Sequence, residues 1–134
     1  MAQATTPHLL IVEDHPVFRR FLVSWLSRTY RVTSVAGGIE ALRWLQAGHQ
    51  TDALLLDLDM NRVSGWQVAQ NLRSSGLFRD LPIVGLAAEV ADVVRDRAVG
   101  LDLVDVFSRP FRPEEVLTAL GAATGAQTSY AAAA

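Results

Sequence analysis

The chain of 134 residues contains no cysteine, which excludes a disulfide scaffold, a thiolate zinc site and a cysteine nucleophile together. It contains no lysine either: all twelve basic residues are arginine. These arginines form no run and face fourteen acidic residues, for a net charge of -2. A surface that tracks phosphates needs clustered positive charge, so nucleic acid is not expected as a partner. No apolar stretch reaches spanning length, and Met1 to Pro7 lacks the charged-then-apolar order of a secretory signal; no membrane partner and a cytoplasmic location are therefore expected. What is abundant is apolar: half of the residues are hydrophobic and only 19% are charged. Such a chain buries enough surface to offset its ordering entropy, and its mass of 14.6 kDa suits one domain.

Short apolar runs alternate with helical repeats five times along the chain. His8–Val12 is the first buried run, and Asp14, His15 and Pro16 then provide a cap and a first-turn proline. The helix that follows is expected to turn Val17, Phe18, Phe21, Leu22, Trp25 and Leu26 inward. Tyr30–Val35 alternates like an edge strand, and Ala41, Leu42, Trp44 and Leu45 mark a second helix ending at Gly48. Ala53–Leu56 runs into Asp57, and a third helix from Gly65 or Trp66 to about Ser74 buries Trp66, Val68, Ala69 and Leu72. Pro82 opens a strand over Ile83–Leu86, followed by a helix to about Val99 that Gly100 ends; Leu103–Phe107 is the fifth strand, and Pro113 starts a last helix reaching Leu120. Strict alternation requires parallel strands with helical crossovers, hence an open α/β sandwich. Residues 8–122 form the expected domain, with 1–7 and 123–134 as flexible tails or linker.

In an open parallel sheet, ligand chemistry collects at the carboxyl ends of the strands. Glu13 and Asp14 follow the first strand, Asp57 closes the third, and Asp59 lies two residues on. Each alone reads as readily as a helix cap or a solvated loop acid. If the first and third strands are neighbours, however, three carboxylates crowd one edge, and a divalent cation would relieve their repulsion. All-oxygen donors point to Mg2+. His8, His15 and His49 are too scattered in sequence for a softer metal, and Trp25, Trp44 and Trp66 read as core residues on helices.

Taken together, LLIVEDHPVFRRFLVSWL, ALLLDLDMNRVSGWQV, LPIVGLAAE and VFSRPFRPEEV resemble, in order and spacing, the receiver domain of bacterial two-component response regulators. The resemblance covers roughly His8 to Ala122. It implies a five-stranded parallel sheet in the order 2-1-3-4-5, the flavodoxin-like, doubly wound three-layer sandwich. It further implies that Asp57 accepts a phosphoryl group from a histidine kinase or phosphotransfer protein. Glu13, Asp14, Asp57 and the backbone carbonyl of Asp59 would then hold Mg2+. Arg109–Pro110 is expected to be a cis peptide bond.

Three positions depart from the family pattern. Ala87 stands where a serine or threonine hydroxyl usually bonds the new phosphoryl group, and a methyl group cannot donate that bond. Arg109 stands where a lysine usually precedes proline; its guanidinium is larger, planar and able to hold a carboxylate through two parallel bonds. Val106 stands where many receivers carry a switching aromatic ring, and Phe107 beside it is expected to face the core. Two alternatives follow. One is a pseudo-receiver, never phosphorylated, that binds partners through its fourth helix, fifth strand and fifth helix, where Val90, Val93, Val94, Val104 and Val106 could leave apolar surface; the same face could form a homodimer. The other is a haloacid-dehalogenase-type phosphatase with Asp57 as nucleophile and Asp59 as general acid, against which stand the motif's place on the third strand and the missing lysine. The receiver reading expects no enzyme of its own.

Overall fold

The computed structural model describes residues 6–126, which fold as five alternating strand and helix pairs. The elements are β1 (His8–Val12), α1 (Pro16–Leu26), β2 (Arg31–Val35), α2 (Gly38–Gln46), β3 (Ala53–Asp57), α3 (Gly65–Arg73), β4 (Ile83–Ala87), α4 (Asp92–Gly100), β5 (Asp105–Ser108) and α5 (Pro113–Thr124). All pairings are parallel, in the order β2-β1-β3-β4-β5. This is the doubly wound architecture expected from the sequence. No helix among the described residues is long and apolar enough to cross a membrane.

Helices cover both faces of the sheet, so β1, β3 and β4 are buried at every residue and read as continuous apolar runs. The edge strands β2 and β5 mix exposed and half-buried positions, with Val106 the one buried residue of the two. One core, including Leu10, Leu54, Leu56, Leu45, Val68 and Leu72, packs between the sheet and the layer of α2, α3 and α4. A second, including Leu9, Ile11, Leu55, Leu22, Leu26, Val116 and Leu120, packs under α1 and α5. Neighbouring residues of one strand alternate between these two cores, as the pleat requires.

Several helix and strand limits differ from the sequence reading. Val17 and Phe21 are 60% and 51% exposed. They lie four residues apart on one flank of α1, outside the stripe centred on Phe18, Leu22 and Leu26 that meets the sheet. Strand β5 begins at Asp105 because Asp102, with φ of 54°, first reverses the chain, and the Leu103 and Val104 N–H groups bond Ala98 and Ile83 carbonyls. Helix α5 continues through Thr124 to a left-handed Gly125 with φ of 76°. Its last turn is held by Tyr30, whose hydroxyl lies 3.2 Å from Thr124 Oγ1. Most of the two expected tails, residues 1–5 and 127–134, lies outside the described residues.

Gly65 sets how α3 meets the third strand. A Cβ there would collide with the Asp57 carbonyl oxygen and Leu58 Cα, so only glycine lets the helix start against the strand end. Ser64 caps the same helix reciprocally with Gln67.

Candidate functional site

Strand β1 pairs with β3, with Val12 opposite Leu56, so the residues that follow on each strand emerge side by side. That register places Glu13 next to Asp57, and Asp14 joins them at the start of the loop. One carboxylate oxygen from each of the three lies within 4.8 Å of the others. Glu13 and Asp57 are only 2% and 4% exposed, while Asp14 is half-buried.

Backbone donors orient each acid. The His15 N–H donates to Glu13 Oε2 at 3.2 Å, the Asp59 N–H to Asp57 Oδ1 at 3.0 Å, and the Asn61 N–H to Asp14 Oδ2 at 3.2 Å. His15 also caps α1, its Nδ1 accepting from the Phe18 N–H. The Arg19 guanidinium donates to the Glu13 carbonyl at 2.9 Å and so fixes the backbone from which that side chain projects.

Arg109, just beyond β5, supplies the positive charge. Its Nη2 lies 2.7 Å from Glu13 Oε1 and 3.3 Å from Asp57 Oδ1. The two parallel bonds to one carboxylate foreseen for an arginine here are thus replaced by a single nitrogen bridging two carboxylates. The longer glutamate at position 13 reaches the guanidinium, which rests 5.0 Å above the Phe18 ring. The Arg109 N–H bonds the Ala87 carbonyl at 3.0 Å, and the Arg109–Pro110 bond is cis. Burial, followed by the hydrogen bond and charge of the neighbouring Asp57, pushes the Glu13 carboxyl up to about 8; the His15 N–H and Arg109 oppose this. Proton, guanidinium and a hard cation are thus alternative ways to relieve one anionic pair.

The Asp59 side chain stands apart from the three acids. It is exposed, and its Oδ2 accepts from the Ala88 N–H at 2.6 Å, crossing from the β3–α3 loop to the β4–α4 loop. Ala87 is buried at the end of β4, and Val106 is buried in the core on the α2 and α3 side. Phe107 packs on the opposite core. Of the valines expected to leave apolar surface, Val93 and Val104 are 78% and 42% exposed, Val106 is buried, and Val90 and Val94 pack against the core. The sequence reading missed the Phe18 platform, the Arg19 brace and the Asp59 to Ala88 bridge. Phe18 reads as one more inward helix residue, and the other two are side chain to backbone bonds, which no residue pattern announces.

The chain thus presents a doubly wound parallel sheet with three acids and one cation at the carboxyl ends of its strands. The family described as response regulator receiver domain matches residues 9–121, and the chain belongs to that family. The response regulator MprA of Mycobacterium ulcerans is 39% identical over 117 residues, covering 85% of this chain and 48% of that protein. Hybrid signal transduction histidine kinase D of Dictyostelium discoideum is 32% identical over 111 residues, covering 83% of this chain and 7% of that protein. The chain therefore spans about half or less of the length of these relatives. Among solved structures, the receiver domain of a sensor histidine kinase from Pseudomonas aeruginosa, which has a magnesium ion coordinated in its active site cleft, is 30% identical with a TM-score of 0.78 over 90% of this chain and 99% of its own. The chemotaxis protein CheY4 of Vibrio cholerae, 22% identical with a TM-score of 0.80 over 89% of this chain and 99% of its own, shares the fold.

Proposed function

We propose that this domain accepts a phosphoryl group on Asp57 from a phosphohistidine of a histidine kinase or phosphotransfer protein, as a cytoplasmic signalling module rather than an enzyme. The observation that carries this reading is the convergence of Glu13, Asp14 and Asp57 beside Arg109. An Asp57 carboxylate oxygen attacks phosphorus in line, a P–O bond forms, and the P–N bond breaks with its electron pair returning to the imidazole. Because that attack brings an anion towards an anion, positive charge must lie between them. Arg109 supplies part of it and is positioned to follow the phosphoryl oxygens.

The donors fit a hard divalent cation: they are carboxylate oxygens alone, mutually within 4.8 Å, with one of the three open to solvent. Glu13, Asp14 and Asp57, with the Asp59 carbonyl, would hold Mg2+, which when bound screens the charge of the incoming group. The phosphatase alternative gains no support from Asp59, whose carboxylate is bonded to the Ala88 N–H.

The test is incubation with acetyl phosphate and Mg2+ followed by intact mass measurement. Addition of one phosphoryl mass, lost in acid and absent from Asp57→Asn, is expected. A folded native chain that gains no mass would overturn the acceptor role and leave the pseudo-receiver, which binds through α4, β5 and α5 without phosphorylation.

A further inference from the structure

Ala87 and Val106 leave this domain without the hydroxyl and the ring through which the acceptor would otherwise reach the β4–α4 loop, yet a connection exists in another place. The Asp57 Oδ1 accepts the Asp59 N–H at 3.0 Å, and the Asp59 Oδ2 accepts the Ala88 N–H at 2.6 Å. Two hydrogen bonds in series therefore run from the acceptor through Asp59 to the first residue after β4. Among the described residues, this is the one side-chain hydrogen bond made to the stretch 88–91. Ala91, which precedes α4, has no side-chain cap of its own. The loop is thus tethered at one point, and by a charged group, which makes the tether sensitive to charge placed nearby.

We propose that the Asp59 carboxylate is the positioning residue that couples Asp57 to the β4–α4 loop. The inference rests on the acceptor reading above. A phosphoryl group on Asp57 adds negative charge next to the Asp59 carboxylate, and the acyl carbonyl that remains accepts the Asp59 N–H more weakly than the carboxylate did. Both changes move Asp59 off the Ala88 N–H and release the loop leading into α4. The resting state is the tethered one, and the signal is the loss of a bond.

Amide hydrogen exchange read by NMR tests this, with beryllium chloride, excess sodium fluoride and Mg2+ providing a phosphoryl mimic whose binding is read independently from fluorine resonances. In the native chain, mimic binding is expected to speed Ala88 exchange about tenfold or more, as loss of a charge-assisted hydrogen bond implies. Asp59→Ala should show the fast rate already at rest, with no further change on binding. Asp59→Asn, which keeps an acceptor but not the charge, should bind the mimic and respond less than the native chain. Bound fluoride with unchanged Ala88 exchange in the native chain overturns the coupling, as does a native-like response in both Asp59 variants. Absence of bound fluoride instead counts against the acceptor reading, and the resting chain then decides the coupling. Asp57→Ala, which removes the acceptor of the Asp59 N–H, should speed Ala88 exchange, while Asp57→Asn, which keeps a neutral one, should speed it less. Equal rates in those two and the native chain overturn it.

Discussion

Two arginines at opposite edges of the sheet show how differently one side chain can be used. Arg73, at the end of α3, donates to the carbonyls of Leu101, Phe78, Arg79, Leu81 and Asp102, all in the connections that enter β4 and β5. Arg109, at the carboxyl ends of the strands, bridges Glu13 and Asp57. A carbonyl cannot change its charge or leave, so Arg73 is a fixed joint. A carboxylate can be protonated, phosphorylated or take a cation, so the partners of Arg109 are exchangeable. The fold concentrates permanence at one edge and choice at the other.

The comparison predicts its largest effect at the fixed joint. Arg73→Ala strands several carbonyls at once and should destabilise the domain by about 3 kcal/mol in urea unfolding, while leaving phosphoryl addition to the folded protein intact. Arg109→Ala should cost less, about 2 kcal/mol, because two neighbouring carboxylates lose their counter-ion. Mg2+ should recover part of that loss, since an added cation stabilises the state that binds it; Arg73→Ala should gain no more from Mg2+ than the native chain does. An equal Mg2+ response in the two variants would erase the distinction between the edges.

A smaller effect is expected at His8, on the same edge as Arg73. Its ring nitrogens lie 2.8 Å from Thr51 and Thr33 hydroxyls, and Trp44 stacks against it at 5.5 Å, with His49 also stacked on Trp44 at 4.8 Å. Burial first, then Arg31, holds His8 below its ordinary value of 6.5, while Asp52 pulls the other way. The unfolded chain then binds a proton that the folded chain refuses. The His8 contribution is present above pH 6.5 and is lost as pH falls below it, levelling off beneath the lowered folded value. His8→Gln should flatten that slope of stability below pH 6.5. The smallest change is Ala87→Ser, expected to alter stability by less than about 1 kcal/mol. It should add a hydroxyl response to phosphorylation, read as a further change in exchange along the β4–α4 loop.

Legibility followed the range of the interactions. The three central strands were visible because burial on both faces demands unbroken apolar runs, and Trp66, Val68, Ala69 and Leu72 were placed inward on α3 by helical spacing alone. Val17 and Phe21 were misplaced because the width of the buried stripe on α1 is set by what packs against it. The end of α5 escaped notice because its small residues carry no strong signal until Tyr30 anchors Thr124 from another element. The acids could be nominated from their places at strand ends, and position 109 recognised as a cation. That Arg109 would join both acids through one nitrogen over Phe18 depended on packing between α1 and the end of β5.

By itself the sequence determined the alternating elements, the parallel sheet they require, and the strand ends at which charge would collect. These follow from local periodicity and from the need of every apolar face to be covered. Only the tertiary structure decided which oxygen each donor meets, that Asp59 turns from the acidic group towards Ala88, and that His8 and His49 both stack on Trp44. The Asp59–Ala88 and His8–Trp44 contacts join residues tens of positions apart, and angstrom-scale geometry between remote segments leaves no periodic trace along the chain.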